Sequence, residues 1–252
     1  MTVPRSSSHL NAEHSPEAIA RRLAAPRKVS YLRDFIYGAI DGTVTTFAVV
    51  AGATGAKLGA TVVVIMGLAN LLADGLSMAV SNYLGTRAEQ DQRARARRRE
   101  QRHVRLVPEG EREEIRQLFA AKGFAGDDLE RIVEVITADE DRWLDTMMVE
   151  ELGYGPDPTV PWRAAAATFA AFITVGLLPL LPFLLDAVDG DLVPDPFAWS
   201  AALTAGAFFA VGSAKARVVG MRWWRSGLET LLVGGAAAAV AYLVGVLLER
   251  VV

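Results

Sequence analysis

The stretch that decides the fold is LGATVVVIMGLANLLADGLSMAVSNYLGTRAEQDQRARARRREQRHVR, at residues 58–105. Its first half, up to Leu84, carries one carboxylate and no basic residue, whereas its second half carries a charge at about every second position. A bilayer core needs about 20 apolar residues as helix. The first half therefore predicts a membrane span, and the second half predicts a helix outside the bilayer. Only Gly85 would interrupt a continuous helix through both.

Four further apolar stretches of similar length lie on either side of this one. The five predicted spans are residues 35–56, 58–84, 164–185, 197–214 and 228–248. A soluble all-helical core is the alternative, but it would need five nearly uncharged helices of span length. The predicted fold class is therefore all-α: a polytopic membrane protein with five transmembrane helices and a three-helix cytoplasmic insert between the second and third spans.

Charge is concentrated between Arg87 and Asp157, which hold 31 of the 55 Asp, Glu, Lys and Arg residues, 13 basic and 18 acidic. This mixed charge is unlike the one-signed basic surface of a nucleic-acid binder. Outside the insert, basic residues cluster in the N-terminal tail and at 215–225, whereas the loop DAVDGDLVPDP has four aspartates and no basic residue. The positive-inside rule then places the N-terminus and the insert in the cytoplasm.

These patterns divide the chain into four parts. Residues 1–30 are expected to be a disordered cytoplasmic tail, residues 31–86 the first two spans, residues 87–158 a helical metal-binding domain, and residues 159–252 the last three spans. Within the insert, helices are predicted at 87–105, 111–121 and 127–152, the last from apolar residues spaced by three and four.

Candidate metal ligands recur on all three predicted insert helices. Glu100 and His103 form Glu-x-x-His, a spacing that puts two ligand types on one helical face, as in di-iron carboxylate bundles. Further candidates are the pair Glu111 and Glu114 and the run Met147, Met148 and Glu151. Taken singly, each has a plainer interpretation, since charged pairs often form a solvated face and Met147 fits a helix core. Carboxylate and imidazole suit Fe2+, Mn2+ and Zn2+.

Polar side chains inside the first two spans form a second group. Asp41 lies in the first span, and Asn70, Asp74 and Met78 follow one another at intervals of four in the second. Ionisable groups at membrane depth are costly and usually functional, although a neutral, hydrogen-bonded packing role is the alternative. Lys215, near the end of the fourth span, either extends to the membrane surface or serves as a counter-ion.

The absence of cysteine excludes disulfides, zinc–thiolate sites and iron–sulfur clusters, and no prosthetic group is expected.

Six segments resemble the vacuolar iron transporter family. They are YGAIDGTVTTFAVVAGATGA (37–56), GLANLLADGLSMAVSNYLGTRAE (67–89), WLDTMMVEELG (143–153), GLLPLLPF (176–183), GSAKARV (212–218) and SGLETLLVGGAAAAVAYLVG (226–245). The similarity extends over residues 31–250, and the combination in this order is highly specific.

The resemblance implies a five-span homodimer with a cytoplasmic metal-binding domain that exports Fe2+ in exchange for protons. It assigns translocation to Asp41 and Met78, and metal binding in the insert to Glu100, Glu111, Glu114, Glu151, Met147 and Met148. Two positions depart from the family pattern, because His103 and Asn70 each stand where the family has a glutamate. Asp74 would supply the missing carboxylate, and the departures make Mn2+ a competing substrate.

The sequence therefore predicts a divalent-metal exporter and not an enzyme. Its expected partners are metal ions, protons, the bilayer and a second copy, without nucleic acid. A membrane-tethered ferroxidase and a metal sensor are the alternatives. The former would require a second Glu-x-x-His motif, which the chain lacks. Without a eukaryotic-looking targeting signal, and with an Ala/Arg-rich composition, a bacterial plasma membrane is the expected location.

Overall fold

The structure is a computed structural model that describes residues 11–25, 29–188 and 193–249. All secondary-structure elements in these described residues are helices, which confirms the all-α prediction. The α-helices are α1 (Pro16–Ala24), α2 (Leu32–Gly55), α3 (Ala60–Leu106), α4 (Pro108–Ala121), α5 (Gly126–Thr137), α6 (Glu140–Glu150), α7 (Pro161–Gly176), α8 (Leu181–Val188), α9 (Pro196–Val219) and α10 (Trp223–Glu249).

Five segments of the described chain are long and apolar enough to cross a membrane. They are Leu32–Gly55, Ala60–Leu106, Pro161–Val188, Pro196–Arg217 and Trp223–Leu247. Each contains most of one predicted span, so the five-span prediction is confirmed. Large apolar side chains remain exposed on these helices, such as Ile65, Leu76 and Leu232, as expected of surfaces that face lipid tails or another membrane helix. The protein is thus a multi-pass membrane protein.

Helix α2 is the centre of the membrane part, since it packs against α3, α7, α9 and α10. Its contact with α7 depends on small residues. A Cβ atom built on Gly176 of α7 would lie 2.8 Å from the carbonyl of Gly42, and one built on Gly42 would lie 2.6 Å from the carbonyl oxygen of Phe172. Glycine at both positions lets the two backbones touch, as is common between membrane helices.

This close approach predicts that Gly176→Ala destabilises the membrane part by about 1–3 kcal/mol, the usual cost of overpacking. Gly206→Ala is the matched control, because a Cβ there meets nothing within 4 Å and alanine stabilises a helix by about 1 kcal/mol over glycine. Thermal unfolding in detergent should therefore show the melting temperature falling for the first variant and holding or rising for the second. Equal melting temperatures would contradict the close packing.

Helix α3 runs without a break for 47 residues, from the second span into the insert. At 1.5 Å per residue it is about 70 Å long, more than twice the thickness of a bilayer core. The helix predicted at 87–105 is therefore not a separate element. It ends at Leu106, and Pro108 occupies the first turn of α4, where a missing N–H costs nothing.

The third predicted insert helix, 127–152, is wrong in one respect, because the structure divides it into α5 and α6. Asp139 is the reason, since its side chain accepts a hydrogen bond of 2.8 Å from the Arg142 backbone N–H and caps a new helix. Acidic residues in the first turn of α6 favour the same start. Three short helices and the end of α3 therefore form the insert.

The insert has its own apolar core. Trp143, Leu144 and Met147 of α6 pack there with residues from the other three helices, namely Val104, Ile115, Val133 and Ile136. Leu118 and Phe119 pack against this core partly buried. The insert helices therefore pack together around these residues.

The prolines of the third span interrupt it. Helix α7 ends at Gly176, a 3-10 turn covers Leu178–Leu180, and α8 begins at Leu181. The Pro179 carbonyl accepts a hydrogen bond of 2.6 Å from the buried Ser200 hydroxyl of α9. A side chain of a neighbouring helix thus satisfies a carbonyl beside the break, which makes the interruption tolerable inside a membrane.

The N-terminal tail was predicted to be disordered, but part of it is helical. Ser15 caps α1 by accepting a hydrogen bond from the Ala18 backbone N–H, and Pro16 lies in the first turn. These are favourable start signals for a short helix. For residues 1–10 and 26–28, the prediction falls outside the described residues.

Candidate metal centre

Three ligand side chains of the insert meet where α3 turns into α4. Glu100 and His103 lie one turn apart on α3, and Glu111 faces them from α4 across the turn at Val107 and Pro108. The Nδ1 atom of His103 is 3.3 Å from Glu111 Oε1 and 3.8 Å from Glu100 Oε2. One ligand atom from each of the three lies within 4.8 Å of the others. A single ion between them would contact two carboxylates and one imidazole.

The two carboxylates of this cluster are buried, with exposed fractions of 2% for Glu100 and 3% for Glu111. Arg99 donates a hydrogen bond of 3.0 Å to Glu100 Oε1. By contrast, Glu111 Oε2 is buried with no hydrogen-bond partner in the structure. A buried carboxylate oxygen without a partner costs free energy that a bound cation would recover.

The pKa of Glu111 also shows that its negative charge is unfavourable in this environment. Burial, together with the negative charges of Glu114 and Glu100, raises the pKa of its carboxyl to about 7, and His103 acts in the opposite direction. Although Glu151 is exposed overall, partial desolvation of its carboxyl raises its pKa, together with the charges of Glu100 and Glu114. Negative charge is therefore concentrated here beyond what the local cations neutralise, as in metal sites that await an ion.

The other predicted insert ligands have different surroundings. Glu114 and Glu151 are exposed and act on the buried pair through their charges. Met147 is fully buried in the apolar core beside Trp143 and Leu144, and Met148 is 4% exposed. The core position explains Met147 without a metal, so a ligand role for the two thioethers stays a prediction.

A second polar group lies where α2 and α3 face each other within the spans. The carboxylates of Asp41 and Asp74 are close enough to interact electrostatically, and the Asn70 amide donates a hydrogen bond to Asp74 Oδ2. Asn70 Oδ1 is buried without a hydrogen-bond partner, and Met78, one turn beyond Asp74, is half-buried. The four predicted residues thus lie along one stretch of the two helices, with an unused oxygen among them.

Comparison with known proteins identifies the family of this chain. The model of the VIT family matches residues 32–246. The chain belongs to the VIT family. The vacuolar iron transporter of Toxoplasma gondii (strain ATCC 50861 / VEG) is 35% identical over 232 residues, 88% of this chain and 76% of the relative. Vacuolar iron transporter 1 of Arabidopsis thaliana is 34% identical over 217 residues, 84% of this chain and 83% of the relative.

The vacuolar iron transporter of Plasmodium falciparum (isolate 3D7) is more distant, at 28% identity over 225 residues, 87% of this chain and 82% of the relative. These matches confirm the resemblance found in the sequence. All three VIT-family relatives are named as transporters, in agreement with the prediction that this chain is not an enzyme.

The sequence did not identify the partners in two further sets of polar contacts of this VIT-family chain. Lys215 Nζ of α9 lies 3.5 Å from Glu229 Oε2 of α10, which favours the counter-ion interpretation over a lysine that only reaches the membrane surface. In the other contact, Asn82 of α3 binds Asp34 of α2 and Thr168 of α7. Asn82 continues the series of Asn70, Asp74 and Met78 at intervals of four, a signal that was present in the sequence.

Proposed function

We propose that this protein transports a divalent transition metal, Fe2+ foremost, through the membrane. The observation that carries the proposal is the unbroken helix α3, which bears ligands of the insert cluster near one end and Asp74 within the membrane part. An ion captured at the insert group could then pass to the second group, at Asp74, and from there through the membrane. The names of the relatives add iron as the substrate to test first.

The route runs from the insert to the spans. Glu100, His103 and Glu111 capture the ion, and Glu114 and Glu151 attract it by charge. Asp41, Asp74, Asn70 and Met78 bind it in transit. Placement of the insert in the cytoplasm follows from the basic residues of the tail and of the 215–225 loop, so transport is directed out of the cytoplasm, and a bacterial plasma membrane remains the proposed location.

A homodimer would complete the path. Asp41 is exposed in the single chain although it lies midway along a span, and a carboxylate facing lipid costs several kcal/mol. A second copy against α2 and α3 would remove Asp41 from lipid and bring two sets of carboxylates together. Proton exchange on these carboxylates would couple metal export to the proton gradient, because a carboxylate must lose its proton to bind metal.

The donor set limits the choice of ion. Carboxylate and imidazole bind Fe2+, Mn2+ and Zn2+, and a thioether at Met78 shifts preference toward softer ions than Mg2+ or Ca2+. His103 gives the cluster one negative charge fewer than a glutamate would. Fe2+ is therefore the proposed substrate, and Mn2+ is its first competitor.

Purified protein in proteoliposomes tests the proposal directly. Vesicles with an acidic interior and an entrapped metal-sensitive dye should accumulate Fe2+ under reducing conditions, and a protonophore should slow the uptake. Mn2+ should compete, whereas Mg2+ should not. Binding without flux would instead indicate a sensor, and oxygen consumption with Fe2+ would indicate a ferroxidase. Metal uptake that is unaffected by the pH gradient would exclude antiport.

A further inference from the structure

Asn82 joins three helices of the membrane part with one side chain. Its Nδ2 atom donates to Asp34 Oδ1 of α2 at 2.9 Å and to Thr168 Oγ1 of α7 at 2.6 Å. Its Oδ1 atom accepts from the Thr86 hydroxyl at 3.2 Å. Thr168 in turn donates to the Asp34 backbone carbonyl at 3.3 Å. We call these four residues the Asn82 junction.

The three partners of Asn82 in the junction are buried, whereas Asn82 itself is half-buried. Asp34 is 5% exposed, Thr168 1% and Thr86 8%. A buried hydrogen-bond network of this kind has a defined geometry, because each lost bond would leave a polar atom unpaired. The amide of Asn82 uses both of its donor hydrogens and its acceptor here, so its orientation is fixed by three separate groups.

Two of the three helices at the junction have little freedom to move. A Cβ atom on Gly38 of α2 would overlap the Thr168 carbonyl of α7, so these two backbones are in direct contact. The contacts of α3 with the third span are made through side chains, since a Cβ on Gly75 would be 3.1 Å from the ring of Phe172 and one on Gly67 would be 2.3 Å from the side chain of Leu180. Asn82 supplies directional hydrogen bonds from α3 to both of the other helices, and such bonds fix the rotation of a helix more strictly than apolar side-chain contacts do.

The rotation of α3 matters because the proposed path lies on the same helix. Met78 and Asp74 are one and two turns from Asn82, and positions four apart differ by about 40° around the axis and about 6 Å along it. The Asn82 junction and the proposed path also use the same face of α2, because Asp34 and Asp41 are seven residues apart on that helix. An error in rotation at Asn82 would thus turn Asp74 and Met78 away from Asp41.

We propose that Asn82 is a positioning residue for metal transport. By binding Asp34 and Thr168 it fixes the rotation of α3, so that Asp74 and Met78 face Asp41. This inference rests on the proposed transport function. The role of Asp34 in it is that of a hydrogen-bond acceptor, and its charge is not used to carry the ion or a proton.

Substitutions at the junction separate this role from others. Asn82→Leu removes both donors and should lower the maximal Fe2+ flux at least tenfold, with Fe2+ binding to the insert unchanged. Asp34→Asn keeps an acceptor oxygen for Asn82 and should retain more than half of the wild-type flux, whereas Asp34→Ala should behave like Asn82→Leu. If Asp34→Asn is as inactive as Asp34→Ala, the charge of Asp34 is required and the proposal is wrong.

Rotation can be measured independently of flux. The chain has no cysteine, so a single Met78→Cys substitution gives a unique site for a membrane-permeant thiol reagent. Adding Asn82→Leu should change its labelling rate severalfold, and adding Asp34→Asn should not. Unchanged labelling would overturn the proposal even if flux falls.

Failure of the wider function has a different signature. If the unsubstituted protein moves no metal, the transport function itself is wrong. If it transports metal, loses transport with Asp41→Ala and keeps it with Asn82→Leu, only the role of Asn82 is wrong. Circular dichroism and size-exclusion profiles for each variant exclude loss of folding as the cause.

Discussion

Proteoliposomes that contain Asp41→Ala are expected to take up Fe2+ at no more than about one hundredth of the unsubstituted rate. Asp41 would be buried in the proposed dimer, where removing one partner from a buried charged site costs about 3–5 kcal/mol, and each 1.4 kcal/mol is a factor of ten. Asp41 is the α2 carboxylate that interacts with Asp74, so its loss leaves the ion without a ligand from that helix. The rate of dye quenching over the first seconds is the measurement.

Asp186→Ala is the control for this experiment, because Asp186 lies in α8 near the far end of the third span. Its removal should leave the rate within about twofold, as for a surface change away from a functional site. Wild-type flux through Asp41→Ala would show that the ion does not pass between α2 and α3. Fe2+ binding to the insert should be equal in all three proteins.

Glu111→Gln is expected to have opposite effects on the metal-free and metal-bound insert. Without metal, the carboxyl of Glu111 has a folded-state pKa of about 7 against an ordinary value of 4.5. Between these values the folded state binds more protons than the unfolded state, so stability falls as pH rises through this window. Above pH 7 the full cost applies, at most about 3 kcal/mol for this shift, and the neutral amide removes it.

With metal, the same substitution removes a ligand. A ligand at a hundredfold excess over its dissociation constant stabilises the folded state by about 2.7 kcal/mol, and this gain should disappear. Amide hydrogen exchange across α4, α5 and α6 should therefore slow in metal-free Glu111→Gln above pH 7, and should no longer respond to Fe2+ or Mn2+. Near pH 4 the metal-free proteins should exchange alike.

Glu109→Gln is the matched control, being in the same first turn of α4 but 90% exposed at its side chain. It should leave metal-free exchange and the metal response unchanged. If metal still protects the insert of Glu111→Gln, then Glu111 is not a ligand. If Glu111→Gln destabilises the metal-free insert above pH 7, the carboxylate is satisfied by the protein itself.

The spans were predictable because the bilayer imposes a length and a composition that each segment shows by itself. The break between α5 and α6 was not, since Ile136 and Trp143 are seven residues apart, about two helical turns, and the apolar face therefore stays in phase across Asp139. A single capping side chain decided the boundary against that periodicity. Helix α1 was missed for a similar reason, because Ser15 and Pro16 start a helix in a segment whose composition suggests disorder.

The candidate metal centre could be predicted only in part from the sequence. Glu100 and His103 follow from helical spacing, but their meeting with Glu111 depends on how sharply the chain turns at Val107, which spacing does not show. Tertiary contacts such as Asn82 to Asp34, 48 residues apart, and Lys215 to Glu229 depend on helix packing. For Met147 the family resemblance predicts a metal ligand, whereas its position in the apolar core of the insert explains the residue by packing alone.

The length of α3 determines the local concentration of metal ions to which the insert is exposed. From Leu84 to Glu100 the helix rises about 24 Å. The cluster of Glu100, His103 and Glu111 therefore lies well above the lipid headgroups that surround the end of the second span. Anionic lipids concentrate divalent cations near a membrane, but at physiological ionic strength this enrichment decays over about 8 Å. The cluster therefore meets ions at their bulk free concentration, and the lipid composition of the host membrane should leave its occupancy unchanged.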